Sequence, residues 1–588
     1  MPIRISGLNS GLDTESLVAE LVSAYKTKTD NYVKAQTKLS WKQEAWKTMS
    51  AKTYSFRNSL DKLRFSSAYN LKTTSVSNSS KASITADNNA VNGTQTLQIT
   101  SLAKTGYLTG GKMKSADGSK VTASSTMKDL GVTTEGDFSI NGKRVTINGD
   151  MKVSEVVSKL KDAGVNANFD ETNQRIFVSS TESGKDADFS LSALDANGAK
   201  ALSALGLHVK PATNDKTYEN IAAYSSVKEN NSELENILES YDTDASDANP
   251  LVSIFAKEYA AASDDVTRSS IIKEFKGLIE YAEDVQKKTD DELGYNTSDG
   301  DDENGDAAVR IYGQDAAITL NGAKFTSSSN SFSINGLTIN AMALTDKDET
   351  LTITTSTDHQ GIYDKIKDFL SEYNSLINAM TSSYNAENTK EYEPLTSEEK
   401  DAMSESEVEK WEEKGKSGIL RRDTTLSSLM SAMTGVMAKS YKIGDNTYAL
   451  SSFGIKTLGI MNAEKNEHNA YHIDGDEDDE STSSNTDKLM AAIVSDPEGV
   501  TEFFQKLTSD LYDKLGDHMT STNLRTYGTF YNDKEMAKEY SDYTKTISDW
   551  EDKVADIEDS YYKKFAAMES ALAELQSQSS QLSGLLGM

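Results

Sequence analysis

The longest pattern in the sequence is an apolar heptad within the first sixty-five residues. From Val18, alternate steps of three and four residues keep meeting apolar side chains as far as Leu63, with interruptions at Lys28, Lys42 and Thr53. A period of 3.5 held over this length predicts a helix whose apolar side must pack against another helix. We expect that helix to be far longer than an ordinary globular one.

The last forty residues carry a matching heptad, from Ile547 to Leu585. Two such patterns at opposite ends of one chain predict that the ends pair in a helical stem, either within the chain or between neighbouring subunits. Their large apolar residues are the candidate assembly interface: Val18, Leu21, Tyr25, Tyr32, Leu39, Trp46, Ile547, Trp550, Val554, Ile557, Phe565, Met568, Leu575 and Leu582.

The middle of the chain changes from strand patterns to helix patterns and back. Residues 95–99 alternate like a half-buried strand, and residues 137–178 predict strand, turn, strand, helix, strand. Between 211 and 310, apolar residues recur at helical spacing amid dense Asp and Glu. Strand patterns return before about residue 355, and helical patterns follow to the end.

The predicted fold class is α+β, with a helical coiled-coil stem built from both chain ends and an inserted β-rich head that carries an acidic helical insertion. The predicted segments are a flexible N-terminal coiled-coil segment (1–42), a leg helix (43–75), the first part of the head (76–210), the acidic insertion (211–310), the second part of the head (311–355), a helical leg (356–546) and a C-terminal coiled-coil segment (547–588).

Charge and composition narrow the possible partners. The formal net charge is −31, yet residues 1–70 carry eleven Lys and Arg against six Asp and Glu, whereas residues 211–310 carry nine against twenty-four. An acidic head disfavours nucleic acid, which needs clustered cations. No run of eighteen apolar residues occurs, so we expect no membrane insertion. The absence of cysteine excludes disulfides and cysteine-based zinc sites.

Candidate sites for chemistry are weak. The glycines of Ser6–Asp13 lack the strand and the lysine of a phosphate loop, and Asp13 or Thr14 is the expected N-cap of the first helix. The acidic stretches 298–306 and 474–480 predict solvated loops, because the first departs from the EF-hand at its sixth and twelfth positions. His468 and His472 lack a third metal ligand. We therefore expect no catalytic residues, no cofactor and no metal.

The start of the chain, Met1–Leu12, has neither a basic region nor an apolar region of a secretory signal. We expect the protein either to stay in the cytosol or to leave by a route that needs no cleaved signal.

Several motifs, taken in order, resemble the flagellar hook-associated protein 2 family. At the start these are Ser6–Asp13 and Trp41–Trp46, and at the end Tyr561–Glu569. Leu420–Leu426 is similar to the family motif that follows the head. The unit from Phe138 to Ser180 resembles a repeat of hook-associated proteins and flagellins.

The resemblance implies a structural protein that caps the distal tip of the bacterial flagellar filament. Family members leave unfolded through the flagellar type III export system and act outside the cell. The resemblance further implies a homo-oligomer, most simply a pentamer within a range of four to six copies. Its implied partners are flagellin, the hook–filament junction protein and a cytoplasmic export chaperone at the C-terminal helix.

Three other functions compete with this one. The head could act as an adhesin for host glycans, although its acidity would repel sialylated chains. A flagellin or junction protein would share the β-rich repeat, but the Trp41–Trp46 and Tyr561–Glu569 motifs favour the cap. An enzyme in the head is disfavoured, since no catalytic motif occurs.

Overall fold

The computed structural model describes residues 11–212, 215–296 and 305–586, and the chain divides into two compact units. One unit, here called the terminal unit, ends its first segment at Leu71 and resumes at Thr357. The other, the inserted unit, spans Lys72–Ser356.

The described residues form fifteen α-helices. In chain order they are α1 Thr14–Leu63, α2 Val153–Asp162, α3 Ala196–Ala204, α4 Thr217–Ala222, α5 Asn231–Ser240, α6 Pro250–Ala261, α7 Asp265–Lys287, α8 Asp290–Leu293, α9 His359–Tyr384, α10 Ser397–Asp401, α11 Glu405–Ser417, α12 Thr424–Met437, α13 Lys488–Ser495, α14 Pro497–His518 and α15 Asp533–Leu586.

The described strands number nineteen. They are β1 Lys72–Val76, β2 Ala82–Ala86, β3 Gly93–Ser101, β4 Thr105–Thr109, β5 Gly136–Ile140, β6 Lys143–Ile147, β7 Asn166–Asp170, β8 Arg175–Ser183, β9 Leu191–Ala193, β10 Val309–Ile311, β11 Ala316–Leu320, β12 Ala323–Ser327, β13 Ser331–Ile334, β14 Leu337–Ala341, β15 Leu351–Thr357, β16 Tyr441–Ile443, β17 Asn446–Tyr448, β18 Ile455–Lys456 and β19 His472–Ile473.

The terminal unit is a helical bundle with one large core. The inner half of α1 packs against α9 and α14, and its residues Trp46, Phe56 and Leu60 are buried in a core that α12 also joins. Phe56 lies 6.3 Å from both Phe369 and Tyr373, measured between ring centroids. Aromatic pairs at this separation add to the stability gained from burial alone.

The inserted unit has two cores. The five-stranded sheet β1-β15-β3-β11-β12 and the three-stranded sheet β13-β14-β2 enclose the first. The second lies among the sheets β10-β4-β8-β7 and β6-β5-β9 and the helices α2 to α7. The acidic helices α4 to α8 thus share a core with β-structure, because they bury Ile221, Leu234 and Phe275 while their charged faces remain outside.

The predicted α+β class, with helices at both chain ends and an inserted β-rich part that carries acidic helices, is confirmed. The prediction for residues 137–178 missed one strand, β7, whose short polar sequence lacks a strong alternation. The first helix ends at Leu63, which is the last position of the predicted heptad. Asp13 caps it, as expected, by accepting a hydrogen bond from the Ser16 backbone N–H at 3.0 Å.

Candidate assembly interface

The two ends of the chain meet as an antiparallel helix pair, α1 against α15. Along α1, the Lys28 ammonium lies 5.2 Å from the Trp550 ring centroid, and Gln36 Nε2 donates to Thr544 Oγ1 at 2.7 Å. The partner's residue number falls as the number along α1 rises, which defines the antiparallel direction. Both helices run unbroken through residues 42–43 and 546–547, where separate segments had been expected.

The outer end of the pair is held by a small apolar cluster. Val18 and Val22 of α1 are buried against Val554 of α15. Four aromatic or aliphatic residues of α15 pack around these three, together with Tyr25: Ile557, Tyr561, Tyr562 and Phe565. This cluster is separate from the main core of the terminal unit, so the outer end of the pair depends on few contacts.

The inner end of the pair is anchored in the main core. Trp46 is 1% exposed, and its ring stacks on Tyr531 with 5.7 Å between centroids. Lys42 Nζ lies 3.0 Å from Asp423 Oδ2, so this interruption of the heptad forms an ion pair with the segment before α12. The helix pair is therefore graded, with a large core at one end and a small cluster at the other.

The buried positions of the outer half of α1 differ from the predicted heptad by one residue. Val22 and Thr29 are buried where the heptad had placed Leu21 and Lys28. Positions 17, 18, 21 and 22 are all apolar, so the spacing of apolar residues could not distinguish Leu21 from Val22 as the buried position. The Thr29 hydroxyl finds no hydrogen-bond partner within the described part of the chain.

The fourteen candidate interface residues fall into three groups in the single chain. Val18, Leu39, Trp46, Ile547 and Val554 are buried; Tyr25, Tyr32, Trp550, Ile557, Phe565 and Met568 are half-buried; and Leu21, Leu575 and Leu582 are exposed. The first two groups lie on the helix pair. The role of all fourteen in contacts between subunits stays a prediction.

The last part of α15 extends beyond the cluster that packs against the start of α1. Every described side chain from Glu574 to Ser583 is exposed, and Leu575 and Leu582 are each 61% exposed. At about 1.5 Å per residue, this stretch spans roughly 15 Å of helix. Apolar side chains spaced by seven residues on an uncovered helix are typical of a surface that meets another helix.

A contact outside the predicted heptad lies on another side of α1. Trp41 is 7% exposed and packs against Gly415 of α11, where a Cβ would come within 2.8 Å of its ring. The Lys416 ammonium lies 5.6 Å from the Trp41 centroid, and Lys34 Nζ lies 2.7 Å from Glu399. Two tryptophans five residues apart cannot share one helix face. That spacing was the signal in the sequence that a second side of α1 is also covered.

The acidic loop at 474–480 differs from the solvated loop expected there. Asp474 and Asp476 are buried, and lysines of the same chain neutralise them. Lys367 Nζ lies 2.6 Å from both Asp476 and Asp478, and Lys456 lies 3.1 Å from Asp474. These carboxylates raise the pKa of Lys367 against the opposing effect of its burial. The lysines come from α9 and β18, outside the acidic stretch, so the sequence pattern of 474–480 alone could not predict these ion pairs.

The remaining candidates for chemistry can be placed in part. His472 Nδ1 lies 2.6 Å from Asp479 Oδ2, and His472 opens β19 while His468 lies in the preceding loop. In residues 11–212, 215–296 and 305–586, no three His, Cys, Asp or Glu are grouped to hold a metal ion. Most of the glycine-rich start and of the EF-hand-like stretch lies outside the described residues.

None of the helices that the structure describes combines the length and the apolarity that a bilayer crossing needs.

Comparison with known proteins identifies the family. The model of the flagellar hook-associated protein 2 N-terminus matches residues 10–106, and that of its C-terminus matches residues 313–577. Together the two ranges cover more than half of the chain, and they include α1 and most of α15. The stretch between the two matched ranges, 107–312, contains the acidic helices.

Two curated relatives carry the same name over their full length. The flagellar hook-associated protein 2 of Halalkalibacterium halodurans is 23% identical over 99% of this chain and 99% of its own. That of Thermotoga maritima is 25% identical over 99% of this chain and 96% of its own. Among solved structures, the flagellar cap protein FliD from Escherichia coli matches with a TM-score of 0.41 and 17% identity, over 80% of this chain and 95% of that one.

The resemblance read from the motifs at the two chain ends is thus confirmed by matches to both of those ends. The chain belongs to the flagellar hook-associated protein 2 family.

Proposed function

We propose that this chain is a structural capping protein at the distal tip of the bacterial flagellar filament, where it retains exported flagellin and promotes its folding and polymerisation. The observation that carries the proposal is the uncovered end of α15. Its exposed leucines, Leu575 and Leu582, require a partner outside the single chain to bury them. Because the chain belongs to this family, we expect that partner to be the flagellin subunits at the filament tip.

The graded helix pair suits a contact that must form and break repeatedly. The outer cluster around Val18 and Val22 can open while the inner end, from Trp46 to Leu60, stays in the main core. Each opening of the helix pair then breaks only the few contacts of the outer cluster. The terminal helices would release one filament subunit as a new one enters and then bind one step further on.

The assembly and its partners belong to the same proposal. A homo-oligomer of four to six copies, most simply a pentamer, would cover the tip. Its partners would be flagellin, the hook–filament junction protein and, before export, a cytoplasmic chaperone on the exposed end of α15. The chain would pass unfolded through the flagellar type III export system and act outside the cell. Its lack of cysteine suits that passage, since no disulfide can form on the way.

The adhesin alternative gains no support from the comparisons, which name hook-associated and cap proteins. The acidic helices α4 to α8 also lie outside both matched ranges.

Deletion of the gene, followed by complementation, tests the proposal. We expect deleted cells to secrete unpolymerised flagellin and to build short or no filaments, and the parent chain to restore growth. A Leu575→Ser, Leu582→Ser variant should fold like the parent, because both side chains are exposed, yet restore growth poorly. Normal filaments on the deleted cells would refute the proposal.

A further inference from the structure

The terminal unit exposes two adjacent apolar side chains at the tip of one loop. Ile460 is 82% exposed and Met461 is 96% exposed, in the loop that joins β18 to β19. Single exposed apolar residues are common, but two neighbours this exposed form a knob that only a partner can cover.

The returning segment of this loop, residues 466–471, is fixed along one side of α9. Tyr471 and Asn374 exchange two hydrogen bonds of 2.7 Å between backbone and side-chain amide. Further along, Asn385 Nδ2 donates to Asn466 Oδ1 at 3.3 Å. The loop thus follows α9 towards its C-terminal end, and the knob precedes the last of these contacts by five residues.

A groove of about 380 Å³ opens on another side of the same helix. Its floor contains Trp41, Met49 and Leu420, which are 7%, 6% and 4% exposed, and Ala379 and Ser383 of α9 line it as well. Apolar side chains therefore form half of the lining, and the charged side chains Glu44, Lys52 and Lys416 also line the groove.

The side of α9 that the loop contacts and the side that lines the groove are nearly opposite. At about 100° per residue, the direction of Ala379 and Ser383 lies about 140° around the axis from that of Asn374, Asn378 and Asn385. Ser383 and Asn385 are two residues apart, so the groove and the loop contact at Asn466 lie at a similar level along the helix. A surface and its complement on opposite sides of one unit produce head-to-tail contacts, which form a ring when the rotation between successive copies closes.

We propose that the knob formed by Ile460 and Met461 inserts into the groove between α1 and α9 of a second copy of this chain. This inference rests on the proposed cap function and specifies how its subunits join. Net charge favours the same pairing. The loop residues 457–471 carry Glu464 and Glu467 against Lys465, whereas Lys52 and Lys416 line the groove against Glu44. A contact of this type leaves the end of α15 available for filament subunits.

The absence of cysteine makes a direct test possible. A full-length variant with Met461→Cys and Thr48→Cys places one thiol on the knob and one on the groove wall. Under mild oxidation, we expect a ladder of covalently linked chains up to the size of the ring, measured by non-reducing electrophoresis. A matched control, Met461→Cys with Lys47→Cys, moves the second thiol about 100° around α1 at the same height and should give at most linked pairs.

A second variant measures the contribution of the knob to assembly. Ile460→Ser with Met461→Ser changes only exposed side chains, so the fold should be unaffected. We expect the concentration needed for assembly, measured by light scattering, to rise at least tenfold.

Three results would overturn the inference. They are a ring of normal mass without the ladder, a protein that remains monomeric, and a cross-link to flagellin on growing filaments from the thiol introduced on the knob by Met461→Cys. The cap function is judged separately, by filament growth on deleted cells, so a chain that supports growth without forming the ladder refutes only the knob-and-groove contact.

Discussion

At the scale of single residues, His208 is the buried group with the clearest consequence. Its Nδ1 lies 3.2 Å from the Gly294 carbonyl, and its Nε2 lies 3.1 Å from the Tyr281 hydroxyl. The arrangement suits a neutral ring that donates from Nδ1 and accepts at Nε2. Burial lowers the pKa of His208 to about 4 from an ordinary 6.5. The side chain thus joins helix α7 to the segment after α8, and its burial favours the uncharged ring.

A pH dependence of stability follows. Because the unfolded chain binds this proton more tightly than the folded chain does, the stabilisation is complete above pH 6.5 and is lost as pH falls towards 4. The loss should reach about 3 kcal/mol relative to His208→Gln, which does not titrate. Calorimetry of both proteins at each pH checks this, since other titrating groups cancel in the difference. A constant difference across pH 7 to 4 would contradict it.

Thr29 offers a second residue-scale prediction. Its hydroxyl is buried in α1 without a hydrogen-bond partner in the described residues, so Thr29→Val should stabilise the terminal unit by about 1 kcal/mol. Thermal unfolding measures this. Thr27→Val is the matched control, since Thr27 is exposed and its hydroxyl donates to the Ser23 carbonyl at 2.9 Å. If the outer contacts must open during growth, Thr29→Val should also slow filament elongation; an unchanged melting temperature would contradict the stability argument.

At the scale of elements, the existence of α1 and α15 could be predicted from the sequence, but their register could not. A heptad of 3.5 and a straight helix of 3.6 residues per turn diverge by about 20° per heptad. Near the outer end this difference moves the buried position from Leu21 to Val22. Both residues are apolar, so the sequence does not distinguish between them. Towards the inner end Met49, Phe56 and Leu60 are buried as the heptad predicts, because several helices surround them there.

The same limit applies to other elements, because a sequence pattern reports only on residues that are close together in the chain. The N-caps of helices, the turns and the acidic helices depend on residues close together in the sequence, so they could be predicted. The packing of Trp41 on α11 and the pairing of Lys367 with Asp476 join residues more than a hundred positions apart, so only the structure brings them together.

The register makes a prediction about neighbouring residues. Val22→Ser should destabilise the outer helix pair by about 2 kcal/mol, because Val22 is 1% exposed, whereas Leu21→Ser should change stability by less than about 0.5 kcal/mol. Hydrogen exchange of the first turns of α1 measures both effects. If Leu21 contacts a neighbouring subunit, Leu21→Ser will impair assembly of a normally stable chain. Equal loss of protection in the two variants would contradict the register.

At the scale of the whole molecule, the division into two units has a local explanation at the point where the chain passes between them. The Asp358 backbone N–H donates to the Leu71 carbonyl at 2.9 Å, so the two segments of the terminal unit are held together by their own hydrogen bond. On the other side, β1 and β15 are neighbours in one sheet, so the inserted unit also begins and ends at adjacent strands. Each unit has its own buried core.

Excision of the inserted unit tests this independence. Joining Leu71 to Thr357 by a short glycine linker should leave the terminal unit folded, because the linker needs to span only neighbouring backbone atoms and the buried core of α1, α9, α12 and α14 is kept whole. We expect helical circular dichroism and a melting temperature within a few degrees of the parent's transition for that unit. The complementary fragment, Lys72–Ser356, should fold as well, since both of its cores lie within it. Loss of cooperative unfolding in either fragment would show that its core depends on the other unit.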